Sequence, residues 1–375
     1  MKEFIIKNAK VISPADGYFD KILDIVVRDG KIAAIGENLE EEGLEIYDAR
    51  GQWVSPGFID IHVHCFPFAV LGIEPDMLGL ERGATTVLDA GTSGCNNYED
   101  CFENYIKTAK TKIFTLINVS KEGLKELHEL NDMNKIDEDT LLHCIAKHRK
   151  NIVGIKARAS GSVVGQMGLK PIVKAKEIAD KAQLPLVVHV GNYPPALGEV
   201  LDILGENDVV THAFHGKNGG ILDEHGKVIK EALVARQRGV KFDIGHGAAS
   251  FSFVVFQKAL KEGFDTDLIS TDLHKENYLG PVYNIMNVIT KMVNCGESFE
   301  NAITKVTSAP ADHFKLDHLG HIRVGDIADL SIFELVDCNE VAQDSMGQDI
   351  EIKSKMKLNR VFYSQGEETD YVQYP

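Results

Sequence analysis

The sequence has no long hydrophobic run. Hydrophobic residues make up 44% of the chain, yet none of its apolar stretches approaches the ~18 residues that a membrane-spanning helix needs. The first residues, MKEFIIKNAKVIS, lack the apolar core and the small-residue cleavage site of a secretory signal. We therefore expect a cytoplasmic protein with no membrane partner.

Cysteine is scarce, and basic residues are outnumbered by acidic ones. The six cysteines show no CxxC spacing, so we expect reduced thiols and no disulfides. Forty lysines and arginines stand against 56 aspartates and glutamates, which gives a formal net charge of −16. Proteins that bind nucleic acids carry an excess of positive charge on one face. The composition therefore excludes a nucleic-acid partner.

The two ends of the 375-residue chain have the pattern of β-strands. Apolar and polar residues alternate in the first segment, and Asp29 and Gly30 stand between two such runs, which is the strongest short-range signal of a hairpin. A similar pattern returns near the C-terminus in GDIADLSIFEL and KLNRVFYSQGEE. We predict that residues 1–53 and 325–375 together form one small β-sandwich domain.

The middle of the chain, residues 54–324, alternates short β-branched runs with stretches of helical composition such as KPIVKAKEIADKAQ. This alternation is typical of repeated β-α units around a parallel sheet. Eight units predict an α/β protein whose central domain is a (β/α)8 TIM barrel. The eight candidate strands are FIDIHVH, ATTVLDAG, KIFTLINVS, NIVGIKAR, LPLVVHVG, DVVTHAFHG, VKFDIGHG and DLISTDLH.

Polar residues end several of these strands. In such a barrel the active site lies at the C-terminal ends of the strands. Strand 1 ends with His62 and His64, which point to the same side because side chains alternate along a strand. Strands 5, 6 and 8 end with His189, His212 and Asp272. Singly, each residue is consistent with a hydrogen-bonded core position, but four imidazoles and a carboxylate together indicate a divalent cation site.

Lys156 ends the apolar run of strand 4 and would point into the same cavity. An ammonium group beside cations is disfavoured by like-charge repulsion. We therefore expect this lysine to be chemically modified or displaced. The alternative is a lysine that pairs with an acidic neighbour at the barrel mouth.

Taken together, these residues resemble the pattern of the amidohydrolase superfamily. The resemblance rests on PGFIDIHVH, on the strand-end residues and on the late GDIADL segment, and it covers nearly the whole chain. In the binuclear members of that superfamily, the strand 4 lysine is carboxylated by CO2 and its carbamate bridges two metal ions. The resemblance implies two divalent ions bridged by carboxylated Lys156, one held by His62, His64 and Asp272 and the other by His189 and His212.

Such a metal centre implies a mechanism. Imidazole-rich ligation favours Zn²⁺, although manganese, iron or cobalt suits the same ligands. Two dications lower the pKa of a bridging water from ~15.7 toward ~7, so that a hydroxide forms at neutral pH and acts as the nucleophile. Asp272 is the expected catalytic base, which accepts a proton and passes it to the leaving group, while the second metal polarises the substrate carbonyl.

Within the superfamily the sequence resembles a deacetylase-like group related to D-aminoacylases, chiefly in residues 156–165 and 243–253. D-aminoacylases use a cysteine as the metal bridge, whereas Lys156 is the better-placed bridge here. Dihydroorotases, which are cyclic amidohydrolases, commonly follow the HxH pair with an arginine, but Cys65 follows it here. Adenine deaminases carry a glutamate-rich pattern that is missing after His64. Both activities stay alternatives, as does a non-catalytic metal-binding scaffold.

A deacetylase of this kind predicts a small-molecule substrate, an amide or ester that loses an acetyl or small acyl group and retains a carboxylate. Arg158 is the predicted cation for that carboxylate, and its alternative is a surface ion pair. His215, His246 and His274 also follow strand ends and are predicted to contact the substrate, unless they only hydrogen-bond loops. Many relatives are homo-oligomers, which makes a homo-oligomer an expectation from the resemblance alone.

Overall fold

The computed structural model describes all 375 residues and contains two β-sheets. Seven strands form a parallel sheet, and eight form a second, mixed sheet. The strands are β1 Glu3–Ser13, β2 Tyr18–Arg28, β3 Lys31–Gly36, β4 Glu45–Asp48, β5 Trp53–Pro56, β6 Phe58–Val63, β7 Ala84–Ala90, β8 Lys112–Asn118, β9 Ile152–Ala159, β10 Leu186–Val190, β11 Val209–Thr211, β12 Lys241–Phe242, β13 Leu330–Gln343, β14 Asp349–Gln365 and β15 Glu368–Gln373.

Helices connect most of the parallel strands, and none is long and apolar enough to cross a lipid bilayer. The longer of the two helices between β9 and β10, Lys170–Ala182, buries Ile172, Ala175 and Ile178 on one face, as expected for an amphipathic segment that packs on a sheet. The α-helices are α1 Pro75–Leu78, α2 Tyr98–Cys101, α3 Glu138–Lys147, α4 Gly161–Val164, α5 Lys170–Ala182, α6 Leu197–Ile203, α7 Lys230–Gln237, α8 Phe253–Lys261, α9 Ile285–Asn294, α10 Phe299–Thr304 and α11 Ser308–Phe314.

The parallel sheet runs from β6 to β12 in chain order, so each strand pairs with its neighbour in sequence. The sheet is curled, because residues 268–273 form parallel bridges to both of its ends. Leu273 pairs with Val63 of the first strand, and Leu268 pairs with Asp243 just beyond the last. The first seven predicted strands are present, although β11 and β12 have only three and two residues.

The eighth predicted strand, DLISTDLH, forms isolated bridges instead of a regular strand. Side chains take up the backbone donors that a ladder would use: Asp60 accepts from the Thr271 N–H, and the Thr271 hydroxyl accepts from the Leu273 N–H. Asp272 between them has a left-handed backbone with φ of 53°. These local interactions interrupt the strand where its polar residues begin.

The second sheet draws strands from both chain ends, in the order β15-β14-β13-β5-β1-β2-β3, with β4 beside β1. The hairpin prediction at Asp29 and Gly30 is confirmed: both residues have positive φ, 48° and 72°, and they join β2 to β3. Hydrogen bonds connect all eight strands in one sheet. The joint contribution of both termini is therefore present, while the two-layered sandwich stays a prediction.

The interior of the parallel sheet positions the polar strand ends. Leu116, Val187 and Val209 lie in one cluster of 13 buried apolar residues. His189 lies two residues after Val187 and Thr211 two residues after Val209, so each points to the same side of its strand as that valine. A polar layer therefore sits on top of an apolar one at the C-terminal ends of the strands, where the chemistry of such sheets is found.

Candidate metal centre

His62, His64 and Asp272 converge at the C-terminal ends of the parallel strands. One ligand atom from each lies within 4.8 Å of the others, and all three residues are buried. The Asp272 Oδ1 is 3.3 Å from His62 Nε2 and 3.2 Å from His64 Nε2. Two imidazole nitrogens and a carboxylate oxygen directed at one point form a donor set that suits a divalent cation.

Three of the histidine rings are fixed by hydrogen bonds on the nitrogen that faces away from this point. His62 Nδ1 bonds the Thr211 hydroxyl at 2.9 Å, His64 Nδ1 bonds the Thr92 hydroxyl at 3.0 Å, and His212 Nδ1 donates to the Gly245 carbonyl at 2.6 Å. Metal-binding histidines are held in this way, because the outer bond sets the tautomer and aims the free nitrogen inward. The outer bonds therefore leave the three Nε2 atoms as the inward-facing nitrogens.

His189 and His212 lie beside the group of His62, His64 and Asp272. The His189 and His212 rings are 4.3 Å apart, and the His212 ring is 4.9 Å from His62. The His212 Nε2 is buried without a hydrogen-bond partner and lies 4.0 Å from the Asp272 Oδ2. A buried polar nitrogen without a partner is costly. Its cost is removed when a cation binds there, so the residues present fit a metal.

Lys156 joins the group from β9. Its Nζ is buried and lies 3.1 Å from His62 Nε2. Burial lowers the pKa of the Lys156 ammonium to about 7, although Asp272 and Asp243 act in the opposite direction. Gly91 makes room for this side chain, since a Cβ atom at Gly91 would lie 2.8 Å from the Lys156 Cβ. The neutral amine is the form that reacts with CO2, so burial favours the predicted carboxylation.

Burial also favours the neutral form of His62, His189 and His212. It lowers the pKa of His62 and of His189 well below the usual value, and that of His212 to about 3. Burial alone would raise the pKa of Asp272, but His62 and His64 hold it well below its usual value. Neutral imidazole and ionised carboxylate are the forms that bind metal ions. The protonation states therefore match those of a metal-binding set.

Two of these residues have strained backbones. His212 has φ of 65° and Asp272 has φ of 53°, in the left-handed region that L residues rarely adopt. Each such residue costs of order ~1–3 kcal/mol and persists only where the surrounding structure imposes it, typically at functional sites. β11 ends immediately before His212, at the first of these two positions.

Buried carboxylates and hydroxyls behind the ligands were missed in the sequence. Asp243 accepts hydrogen bonds from Thr211 and Ser270, both at 2.7 Å, and Thr211 in turn holds His62. Burial raises the pKa of Asp243 to about 6. The signal available in the sequence was a polar residue within an apolar strand, as at Asp243 in VKFDIGHG. That signal does not tell which ring a hydroxyl will hold.

The family profile of the amidohydrolases matches residues 53–365. The chain belongs to the amidohydrolase family. Two relatives named deacetylase, from Brucella anthropi and Enterococcus faecalis, are each 39% identical to it. The alignments cover 96% and 92% of this chain and 90% and 93% of those relatives. The predicted resemblance is thus confirmed, and this amidohydrolase is a metal-dependent hydrolase.

Two crystal structures of similar amidohydrolases superpose on the chain with TM-scores of 0.92. One is described as an adenine deaminase; it is 36% identical, and the match covers 99% of this chain and 100% of that one. The other is described as a dihydroorotase; it is 34% identical, and the match covers 100% of this chain and 98% of that one. The fold is therefore shared across relatives with different names.

Arg158, the predicted carboxylate-binding residue, is already paired. Its Nε and one terminal nitrogen each donate to Glu129 at 2.6 Å, and the same nitrogen also donates to the Leu127 carbonyl at 3.0 Å. Glu129 is buried. Arg158 thus forms a largely buried ion pair with Glu129, and its predicted contact with a substrate carboxylate stays a prediction.

The three additional histidines have different surroundings. Both ring nitrogens of His246 are engaged within the protein, Nε2 with Lys291 at 3.0 Å and Nδ1 with the Gly247 carbonyl at 3.0 Å. These bonds connect His246 to Lys291 and to Gly247, and its predicted substrate contact stays a prediction. The His274 ring lies 6.1 Å from His64, next to the centre. His215 is buried and accepts a hydrogen bond on Nδ1 from the Lys217 N–H, so its predicted substrate contact stays a prediction.

Proposed function

We propose that this chain is a binuclear metal-dependent deacetylase, which removes an acetyl or small acyl group from an amide or ester that carries a carboxylate. The observation that carries the proposal is the convergence of four imidazoles, one carboxylate and one buried lysine at the strand ends. The names of the 39% identical relatives from Brucella anthropi and Enterococcus faecalis support the choice of a deacetylase.

In this proposal the six residues divide between two ions, with Zn²⁺ as the metal that suits the ligands. When bound, the ions lower the pKa of water and polarise a carbonyl group. The absence of a hydrogen-bond partner for the His212 Nε2 supports the site. Lys156, carboxylated by CO2, would help to hold the two ions. The ligands are His62, His64 and Asp272 for one ion and His189 and His212 for the other.

Asp272 is the proposed proton acceptor. As water adds to the acyl carbonyl, its proton passes to the Asp272 carboxylate and then to the nitrogen or oxygen of the leaving group. His62 and His64 hold one oxygen of Asp272, at 3.3 and 3.2 Å, while its other oxygen lies 4.0 Å from His212 Nε2. This arrangement orients the carboxylate and keeps it ionised before the reaction.

The same proposal covers the architecture around the site. Residues 54–324 form the hydrolase barrel, in which residues 268–274 close the gap between the first and the seventh strand. Residues 1–53 and 325–375 form the second domain. The bridges from Leu273 to Val63 and from Leu268 to Asp243 support the closure of the barrel.

Adenine deamination and dihydroorotate hydrolysis are the two alternative activities, and each is supported by a similar protein of known structure. A crystal structure described as an adenine deaminase and one described as a dihydroorotase are 36% and 34% identical to this chain. Both alternatives use the same proposed metal centre and differ in the substrate. They therefore predict different members of one substrate panel.

The test is hydrolysis of such a panel by purified protein whose metal content has been counted. The panel contains N-acetyl-D-amino acids, N-acetyl-L-amino acids, O-acetyl hydroxy acids, dihydroorotate and adenine. We expect turnover of acetylated carboxylates. Turnover of only dihydroorotate or adenine would replace the deacetylase assignment by the corresponding alternative, and a metal-loaded protein that hydrolyses none of the panel would contradict all three.

A further inference from the structure

One ammonium group near the metal centre has no acidic partner. Lys217 follows β11 in the loop HGKNGG and is half-buried. Its Nζ takes part in no ion pair, and among charged groups only Asp272 acts on its pKa, in opposition to burial, which lowers it. Lysines that are partly buried normally pair with a carboxylate. A positive charge without a counter-ion beside a reaction site is a candidate to bind an anionic ligand.

Lys217 faces Gly191, which has no side chain. The position that a Cβ atom would take on Gly191 lies 3.6 Å from Lys217 Nζ, 3.4 Å from the Ser160 hydroxyl and 3.4 Å from His189 Nε2. The three groups therefore surround the side-chain-free face of Gly191, and a ligand group that packs against this face meets an ammonium, a hydroxyl and a proposed metal ligand. We call this space, bounded by Ser160, His189, Gly191 and Lys217, the Gly191 niche.

The Ser160 hydroxyl is a hydrogen-bond donor at the edge of the Gly191 niche. Its side chain is buried, and its oxygen accepts a hydrogen bond from the Asn192 N–H at 2.9 Å. Its only other polar contact is the Ser162 hydroxyl at 3.5 Å. The backbone bond occupies a lone pair, and the only acceptor near the hydroxyl hydrogen is the distant Ser162 oxygen, so Ser160 can donate to a closer acceptor. An ammonium and a hydroxyl donor together match the two oxygens of a carboxylate.

Arg158, the other cation near the centre, is a weaker candidate. Its Nε and one terminal nitrogen donate to Glu129, which is buried and so fixes the pair. Opening the pair would leave a buried carboxylate without a partner, which is strongly unfavourable. Lys217 has no such competitor.

We propose that the Gly191 niche binds the substrate carboxylate, with Lys217 as the ion-pairing partner and Ser160 as the hydrogen-bond donor. This proposal rests on the proposed deacetylase function and specifies its substrate. Because the niche touches His189, the carboxylate lies close to the reacting acyl group. The substrates are therefore α-acylamino or α-acyloxy acids, and compounds with the carboxylate further along the chain fit less well.

The test compares ligands that differ only in charge, in metal-loaded full-length protein. Binding and hydrolysis of N-acetyl amino acids are measured beside those of their neutral carboxamides, by calorimetry and by release of acetate. The variants are Lys217→Met, Lys217→Arg, Ser160→Ala and Arg158→Met. Lys230→Met, an exposed lysine on α7, is the matched control. Thermal unfolding and metal content show that each variant is folded and loaded.

We expect wild-type protein to prefer the carboxylates and Lys217→Met to lose at least about tenfold of that preference, because charge-assisted hydrogen bonds contribute ~1.5–3 kcal/mol. Binding of the neutral amides stays within about twofold. Lys217→Arg retains part of the preference, and Ser160→Ala loses a smaller part. Lys230→Met behaves as wild type.

Three results would overturn the proposal: no preference for carboxylates in the wild type, an unchanged preference in Lys217→Met, or loss of the preference in Arg158→Met but not in Lys217→Met. Each leaves the deacetylase function intact if acetylated substrates are still cleaved. Conversely, carboxylate binding that depends on Lys217 without hydrolysis of any acyl compound supports the niche and contradicts the proposed function.

Discussion

Two threonine hydroxyls hold two of the histidine rings. Thr92 and Thr211 bond the outer nitrogens of His64 and His62, and Thr211 also donates to buried Asp243. A ring without such a partner can rotate or change tautomer, so its inner nitrogen no longer points at the cation. The threonines therefore position the ligands without touching the reacting atoms.

Thr92→Val should weaken metal binding by about 10- to 100-fold, as is typical when the outer partner of a metal-binding histidine is lost. Thr86→Val is the matched control. Thr86 lies in β7, the strand that precedes Thr92, and its buried hydroxyl has no hydrogen-bond partner to lose. Competition with a chelator of known affinity measures the effect. Equal metal affinity in Thr92→Val and Thr86→Val would show that the Thr92 bond does not position His64.

Asp272→Asn should separate metal binding from turnover. The amide keeps an oxygen for the ion but cannot accept the proton, so the rate should fall by about 10²- to 10⁴-fold, the range for loss of proton transfer. Metal content should stay substantial. Steady-state hydrolysis and elemental analysis of the same samples measure both quantities, and a near-normal rate would remove Asp272 from the role of proton acceptor.

At the scale of elements, the sequence pattern was most informative where a strand is regular. The strands β6 to β10 match their apolar runs, and the Asp29-Gly30 turn matches its hairpin. Prediction was poorest for DLISTDLH, because a hydrogen bond from the Thr271 N–H to Asp60 and one within residues 271–273 replace strand pairing. Alternation of residue types cannot reveal such competition, since the partner, Asp60, is distant in sequence.

The same limit applies to the candidate site. The type of residue at each strand end predicted the six clustered side chains, because parallel strands bring their ends together whatever the loops do. The partners of Arg158 and His246 could not be predicted in this way. They depend on Glu129 and on the turn after β13, both of which come from segments far away in sequence. Lys217 was overlooked for the same reason, since its lack of a partner is a property of the fold.

His321 links the end of the parallel-sheet region to the turn between β1 and β2. Its ring nitrogens lie 3.0 Å from Asp16 and 3.0 Å from Asp312. The hydrogen bond to Asp16 raises the pKa of His321 above 6.5. The pKa of Asp16 is lowered below 3.8, because its hydrogen bonds with His321 and Ser13 outweigh burial.

This pair predicts a pH-dependent stability. The raised pKa of His321 stabilises the fold below its unfolded value, and that stabilisation is lost as the pH rises through the folded value. The lowered pKa of Asp16 stabilises the fold above its own unfolded value. His321→Gln should therefore cost about 1–3 kcal/mol of unfolding free energy near pH ~5.5 and less near pH ~8.5.

Denaturant unfolding at both pH values measures the effect of His321→Gln. His225→Gln is the control, because the His225 side chain is 77% exposed and only faces an exposed glutamate. A cost for His321→Gln that does not change between the two pH values would show that protonation of His321 does not stabilise this junction.

At the scale of the whole molecule, the second sheet and the parallel sheet meet near the candidate site. The turn between β13 and β14 reaches the loop after β12, where Ser345 donates to the Gly247 carbonyl at 2.7 Å and Asp344 accepts from the Phe253 N–H at 2.9 Å. Gly247 is near Asp272, since a Cβ atom there would lie 2.6 Å from the Asp272 Oδ2. The second sheet thus supports the wall of the metal centre.

The central claim is that Lys156 helps to hold two divalent ions, and metal content per chain tests it most directly. Elemental analysis compares wild-type protein with Lys156→Ala and with the control Lys150→Ala. Lys150 is exposed and lies just before β9, the strand that carries Lys156. We predict two ions per chain in the wild type and the control, and a loss of one or both in Lys156→Ala, partly restored by small carboxylic acids. Two ions retained in Lys156→Ala without such additives would contradict the account.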